Sequence, residues 1–147
     1  MLCFIHTVFV SISTGSSGSA LNRLAVAQGI SIDENSDRLY IADTNNIRIV
    51  RYFSNTTSEI VAGGTSCGNA KTQLCNPTGV YFEAATNSLI ISDYTRNSVV
   101  RWIIGTNEWI RLAGNVSSTA GNTSAELNHP EGIGVDVIGN LYVPDSY

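Results

Sequence analysis

Apolar and polar positions along the chain fall into short alternating runs divided by turns. Residues 29–33 read Gly-Ile-Ser-Ile-Asp, residues 38–43 read Arg-Leu-Tyr-Ile-Ala-Asp, and residues 48–53 read Arg-Ile-Val-Arg-Tyr-Phe. Alternation with period two is the mark of a strand with one buried face. Each run is rich in Ile, Val and Tyr, and each is bounded by Asn, Asp, Ser or Gly, which supply turn chemistry. The pattern predicts strands at 29–33, 38–43, 48–53 and 59–62, then at 79–83, 88–93, 98–104 and 109–113. No stretch sets apolar residues at helical spacing between capping residues.

The second group of four is the first written again about fifty residues later. Gly79-Val80-Tyr81-Phe82-Glu83 repeats the first run, and Leu89-Ile90-Ile91-Ser92-Asp93 repeats the second. A third copy starts at Gly132-Ile133-Gly134-Val135-Asp136 and continues through Leu141-Tyr142-Val143-Pro144-Asp145. A repeat of this length made of short strands marks a propeller or a stacked array. The expected fold is all-β: an incomplete β-propeller, an open arc of four-stranded antiparallel blades. Full blades are expected at 28–76 and 77–128, with a partial one at 129–147. An open arc leaves edge strands and blade faces uncovered. The expected partners are therefore the remaining blades of a longer chain, or self-association.

The recurring residues have physical causes. Gly29, Gly79 and Gly132 open the first strand of each copy, where a bare backbone permits close packing or a positive φ. Pro77 and Pro130 stand just before two of them, where no ladder N–H is needed; Ala27 takes that place in the first copy. Asp43, Asp93 and Asp145 end the second strand. A residue required once per unit points to structure rather than catalysis, and each Asp is expected to accept backbone N–H groups of the turn that follows. Arg51 and Arg101, each followed by an aromatic, are expected on an exposed blade face with packed stems and wet heads.

Residues 1–27 have two readings. The apolar run at 2–12 lacks the basic start of a signal peptide but has small residues at 18–20 that suit cleavage. Its alternation equally suits the outer strand of a preceding partial blade. It is too short for a membrane span.

Composition narrows the function classes. The 147 residues carry a net charge of −4, and no cluster of Lys or Arg offers a grip on phosphates, so nucleic-acid binding is disfavoured. Cys67 and Cys75 share one Gly/Asn-rich loop. They read as a loop-closing disulfide in an oxidising compartment, against two free thiols. No His or further Cys lies nearby at ligand spacing, so neither metal nor cofactor is expected. Glycosylation acceptors at Asn55, Asn115 and Asn122 point toward secretion.

The repeated residues resemble the NHL repeat family. The match runs through Gly29–Asp33, Leu39-Tyr40-Ile41-Ala42-Asp43-Thr44-Asn45-Asn46 and Ile47-Arg48-Ile49, with Pro77-Thr78-Gly79 and Pro130-Glu131-Gly132 opening later copies. Val61-Ala62-Gly63 and Leu112-Ala113-Gly114 resemble the family's closing segment. Ser98 stands where the first copy has Arg48, and Pro144 where a small residue is usual. The resemblance implies a propeller, commonly of six blades, acting as a scaffold or protein-interaction module rather than an enzyme. Recognition would sit on the loops at one end. Tyr94, Arg96 and Asn97, with Asn45 and Asn46, are the candidate contact residues, the first three expected to be exposed. The alternative is a propeller lyase or hydrolase whose active site lies in other blades. No His–carboxylate set recurs at the inner strands, and His6 and His129 lie elsewhere.

Overall fold

The computed structural model describes residues 17–54, 57–106, 108–121, 123 and 125–146. The expected leader or strand at 2–12 and the acceptors Asn55 and Asn122 lie outside the described residues. Two four-stranded antiparallel sheets form the body. The first comprises β1 (Ala27–Asp33), β2 (Arg38–Asp43), β3 (Arg48–Tyr52) and β4 (Ser58–Gly63), in that spatial order. The second comprises β5 (Pro77–Glu83), β6 (Ser88–Asp93), β7 (Ser98–Ile103) and β8 (Glu108–Ala113), again in sequence order. A two-stranded sheet of β9 (Gly134–Val135) and β10 (Leu141–Tyr142) follows. No α-helix occurs among the described residues, so none is long and apolar enough to cross a membrane.

The two sheets are built alike down to their irregularities. The register shifts between Ala27 and Ile30 in the first and between Pro77 and Gly79 in the second. A second shift falls at Ile49/Val50 and at Val99/Val100. Such bulges sharpen the local twist. Gly29 and Gly79 serve close approach rather than positive φ. A Cβ on Gly29 would lie 2.5 Å from the Thr78 carbonyl oxygen, and one on Gly79 would lie 3.0 Å from the Gly132 carbonyl carbon. Successive inner strands therefore meet backbone to backbone.

The core lies between the sheets. Tyr40, Ala42 and Ile49 of the first pack with Val80, Leu89, Ile91, Val100 and Trp102 of the second. Tyr40 stacks on Phe82 with centroids 4.7 Å apart. The Phe82 N–H donates to Ser31 Oγ at 2.9 Å, and Thr44 Oγ1 donates to the Pro77 carbonyl at 2.8 Å. Arg51 and Arg101 depart from the expected exposed placement. They are partly buried and pair with Glu59 and Glu83 respectively, because position 51 shares the face of Tyr40 that meets the next sheet.

Candidate functional site

The end of the sheets where β2 and β6 finish is organised by their terminal carboxylates. Asp43 is sealed from water; it accepts the Ala25 N–H at 2.7 Å and the Arg48 Nε–H at 2.7 Å. Asp93 accepts the N–H groups of Cys75 and Asn76 at 2.8 and 2.9 Å. Asp145 accepts the Asn128 N–H at 2.6 Å. Each Asp thus holds the loop that leads into its own sheet, 17–18 residues upstream, and Asp43 and Asp93 also engage the turn that follows them, through the Asn46 carboxamide and the Arg96 amide respectively. Burial pushes the Asp93 carboxyl above the usual aspartate range, against the pull of the Asn76 and Cys75 amides and of the Arg96 guanidinium.

The missing arginine at Ser98 is replaced from two residues earlier. In the first sheet Arg48 donates to the carbonyls of Ser19, Ala20 and Arg23. In the second, Arg96 Nη1 donates to the Gln73 carbonyl at 3.2 Å and its guanidinium lies 5.2 Å from the Trp109 ring centre. Arg96 is only 3% exposed and Asn97 6%, which corrects their expected place on the surface. The physical reason is the loop. Its backbone carbonyls need donors, and Arg96 supplies one from inside. Asn97 takes the left-handed conformation at φ 49° and spans two segments, accepting from the His129 N–H and donating to the Ser118 carbonyl. Asn46 likewise spends its amide on the Gly18 carbonyl and Asp43.

Beside these anchors lies a cavity of about 540 Å³ lined by Val26, Gln28, Thr44, Asn45, Asn76, Thr78, Tyr94 and Glu131. Of the candidates read from sequence, it brings together Tyr94 and Asn45, and leaves Arg96, Asn97 and Asn46 out. Tyr94 also packs against His129 with ring centres 4.3 Å apart. Sequence reasoning missed Gln28, Thr78 and Glu131. A signal for them existed: each directly precedes a recurrent glycine, so the repeat sets one side chain per copy at the head of each inner strand. Glu131 is the one carboxylate in the lining. The rest are polar and uncharged apart from Val26. Among the described residues no group of three or more His, Cys, Asp or Glu stands where a metal ion could be held.

Cys67 and Cys75 are joined in a disulfide that closes the loop entering β5. Asn115 is partly buried and its carboxamide is engaged by Ser117 and Glu126.

No family model matches the chain, and no curated protein matches it. Solved structures do. A gluconolactonase from Xanthomonas campestris superposes with a TM-score of 0.63 at 16% identity, over 83% of this chain and 35% of its own. An auxiliary nutrient binding protein from Bacteroides thetaiotaomicron gives 0.63 at 20% identity, over 79% of this chain and 34% of its own. A protein of unknown function from the same organism gives 0.62 at 21% identity, over 82% and 30%. The fold is an incomplete β-propeller. The two four-stranded sheets are its blades, and the chain spans about a third of the length of these neighbours. The expectation that the chain is not an enzyme is overturned by the first of them. An enzyme uses this blade arrangement, so the lack of a recurring His–carboxylate set in the sequence does not exclude catalysis.

Proposed function

We propose that the loop end of the blades is one sector of a recognition site on a propeller of the NHL type, and that its cavity takes a small polar ligand. The cavity carries this reading. Its volume falls in the range of small-ligand sites, roughly 300–1,000 Å³, and equivalent positions of successive inner strands (Gln28, Thr78, Glu131) converge on it. Amide, hydroxyl and phenol groups suit a ligand that both donates and accepts hydrogen bonds. The loops at 64–76 and 114–121 widen the same end into a surface for a protein partner. We divide the chain into blades at 28–76 and 77–128, with 129–147 opening a third. The Cys67–Cys75 disulfide supports an oxidising, extracellular setting.

The test is NMR titration of the chain with a polyol, an aldose and an aldonolactone. Shifts at Gln28, Thr78, Tyr94 and Glu131 for any of them support the site. Shifts scattered elsewhere, or none, refute it.

A second reading is favoured by Glu131 together with the gluconolactonase neighbour: catalysis in the same cavity, with the carboxylate as general base to a water. Lactone hydrolysis that is unchanged in Glu131→Gln would remove it.

A further inference from the structure

In the second blade two arginines carry more charge and more donors than the surrounding chain satisfies. Arg96 and Arg111 both lie against the Trp109 ring, their guanidinium carbons 5.2 and 5.6 Å from its centre. The first blade has no such pair. There Arg48 commits Nε, Nη1 and Nη2 to Asp43 and three loop carbonyls. Ile60 stands in β4, opposite Val50, where Arg111 stands in β8, opposite Val100. Arg96 commits only Nη1, to the Gln73 carbonyl. Its Nε and Nη2, with Nη1 of Arg111, are sealed from water and find no acceptor among the described residues. Asp93 does not satisfy them. Its oxygens accept the amides of Cys75 and Asn76, and Oδ2 stands 3.9 Å from Arg96 Nε, too far for a hydrogen bond. The group therefore sets two guanidinium ions against one carboxylate. Burial depresses both arginines below their usual range, against the pull of Asp93, and the charge of Arg111 lowers Arg96 further.

We propose that a small inorganic anion is held between Arg96 and Arg111, where the 64–76 loop closes over Trp109. Charge decides the class of occupant. A cation would meet two like charges. A water offers two lone pairs to three N–H groups and leaves the second positive charge uncompensated, and a buried charge without a partner is costly. An anion accepts from both guanidinium groups and balances the excess, through charge-assisted hydrogen bonds that are stronger than neutral ones. Size follows from the sealing of the donors. The occupant is small, and it is taken up as the loop folds over it. The loop carbonyls of Lys71 and Gln73 accept the Trp109 backbone and indole N–H groups, so loop closure and assembly of the site are one event. Arg111 is only partly buried, so its side chain can shift to make room. None of these residues lines the cavity described above. All of them belong to one complete blade and the loop that enters it, and their sealed atoms are out of reach of any other blade.

The experiment is thermal unfolding and NMR of the whole chain, unfolded in urea and refolded in HEPES free of inorganic anions, then titrated with sodium chloride or sodium sulfate. Wild type is expected to gain about 5 °C in melting temperature between ~1 and ~100 mM of at least one of the two salts, and to saturate, as a ligand that binds only the folded state requires. The Arg96 Nε–H and Trp109 indole N–H signals should shift with the same midpoint. Which salt acts separates a halide site from an oxyanion site. Arg111→Gln removes one guanidinium and should retain only the general effect of salt on burial, which does not saturate. Arg111→Glu puts a carboxylate at the same position. It should also lose the saturable response, and should melt at least as high as wild type in the anion-free buffer. A wild type that responds to neither salt overturns the proposal. So do an Arg111→Gln variant that responds as wild type does, an Arg111→Glu variant that melts below wild type without anions, and a rise in melting temperature that leaves the Arg96 Nε–H signal unmoved.

Discussion

Arg48 and Asp43 face each other across the ends of β2 and β3, their side chains 5% and 0% exposed. The pair is held by more than its charge, because the guanidinium also satisfies three carbonyls of the 19–23 loop. Removing one partner of a buried pair strands the other, at a cost of about 3–5 kcal/mol. Arg48→Ala should therefore lower the unfolding free energy by about that amount in urea denaturation, whereas Arg51→Ala, whose partner Glu59 is 45% exposed, should cost about 1 kcal/mol or less. Equal losses would show that burial does not set the value of these pairs. Repetition in the sequence made the structural role of Asp43 legible. It could not make Arg96 legible, because the arginine moved from position 98 to 96 while its acceptor, the carbonyl of residue 73, stayed in place. A lone Arg beside Asn in a turn has the pattern of a solvated loop. Only the fold shows that a carbonyl and Trp109 lie beneath it.

At the scale of elements, the strands follow from alternation and the turns from Asn, Asp and Gly, so the sheets were readable almost residue by residue. The loops were not. Their course is set by side chains distant in sequence, such as Asp93 on Cys75 and Asn97 on His129. The cavity lining was missed for the same reason, since it gathers positions from three successive copies. The loop between β4 and β5 shows what holds such a segment. The disulfide closes a ring with a sequence separation of 8, the amide of Cys75 is fixed by Asp93, and the Gln73 carbonyl accepts from both Arg96 and Trp109 Nε1. The chain-entropy account gives a ring of this size about 2–3 kcal/mol. Replacing both cysteines by Ser should lower stability by that amount. Shifts of the Trp109 indole N–H should report the loosened loop. An unperturbed indole signal would mean that the hydrogen bonds hold the loop without the crosslink.

For the whole molecule, the question is whether the blades open singly or together. One apolar cluster runs through both, containing residues from β2 and β3 on one side and from β5, β6 and β7 on the other. The inner strands touch backbone to backbone at Gly29, where an added Cβ would come within 2.9 Å of the Gly79 Cα as well as against the Thr78 carbonyl. Neither of those atoms can swing aside as a flexible side chain would, so the strands must separate. Overpacking of that kind costs about 1–3 kcal/mol. Because the displaced surface belongs to both blades, Gly29→Ala should speed amide exchange in β5 and β6 as well as in β1 and β2, and should leave a single unfolding transition at lower temperature. Exchange that rises in β1 and β2 alone would show that each blade is stable by itself, and that the shared cluster does not couple them.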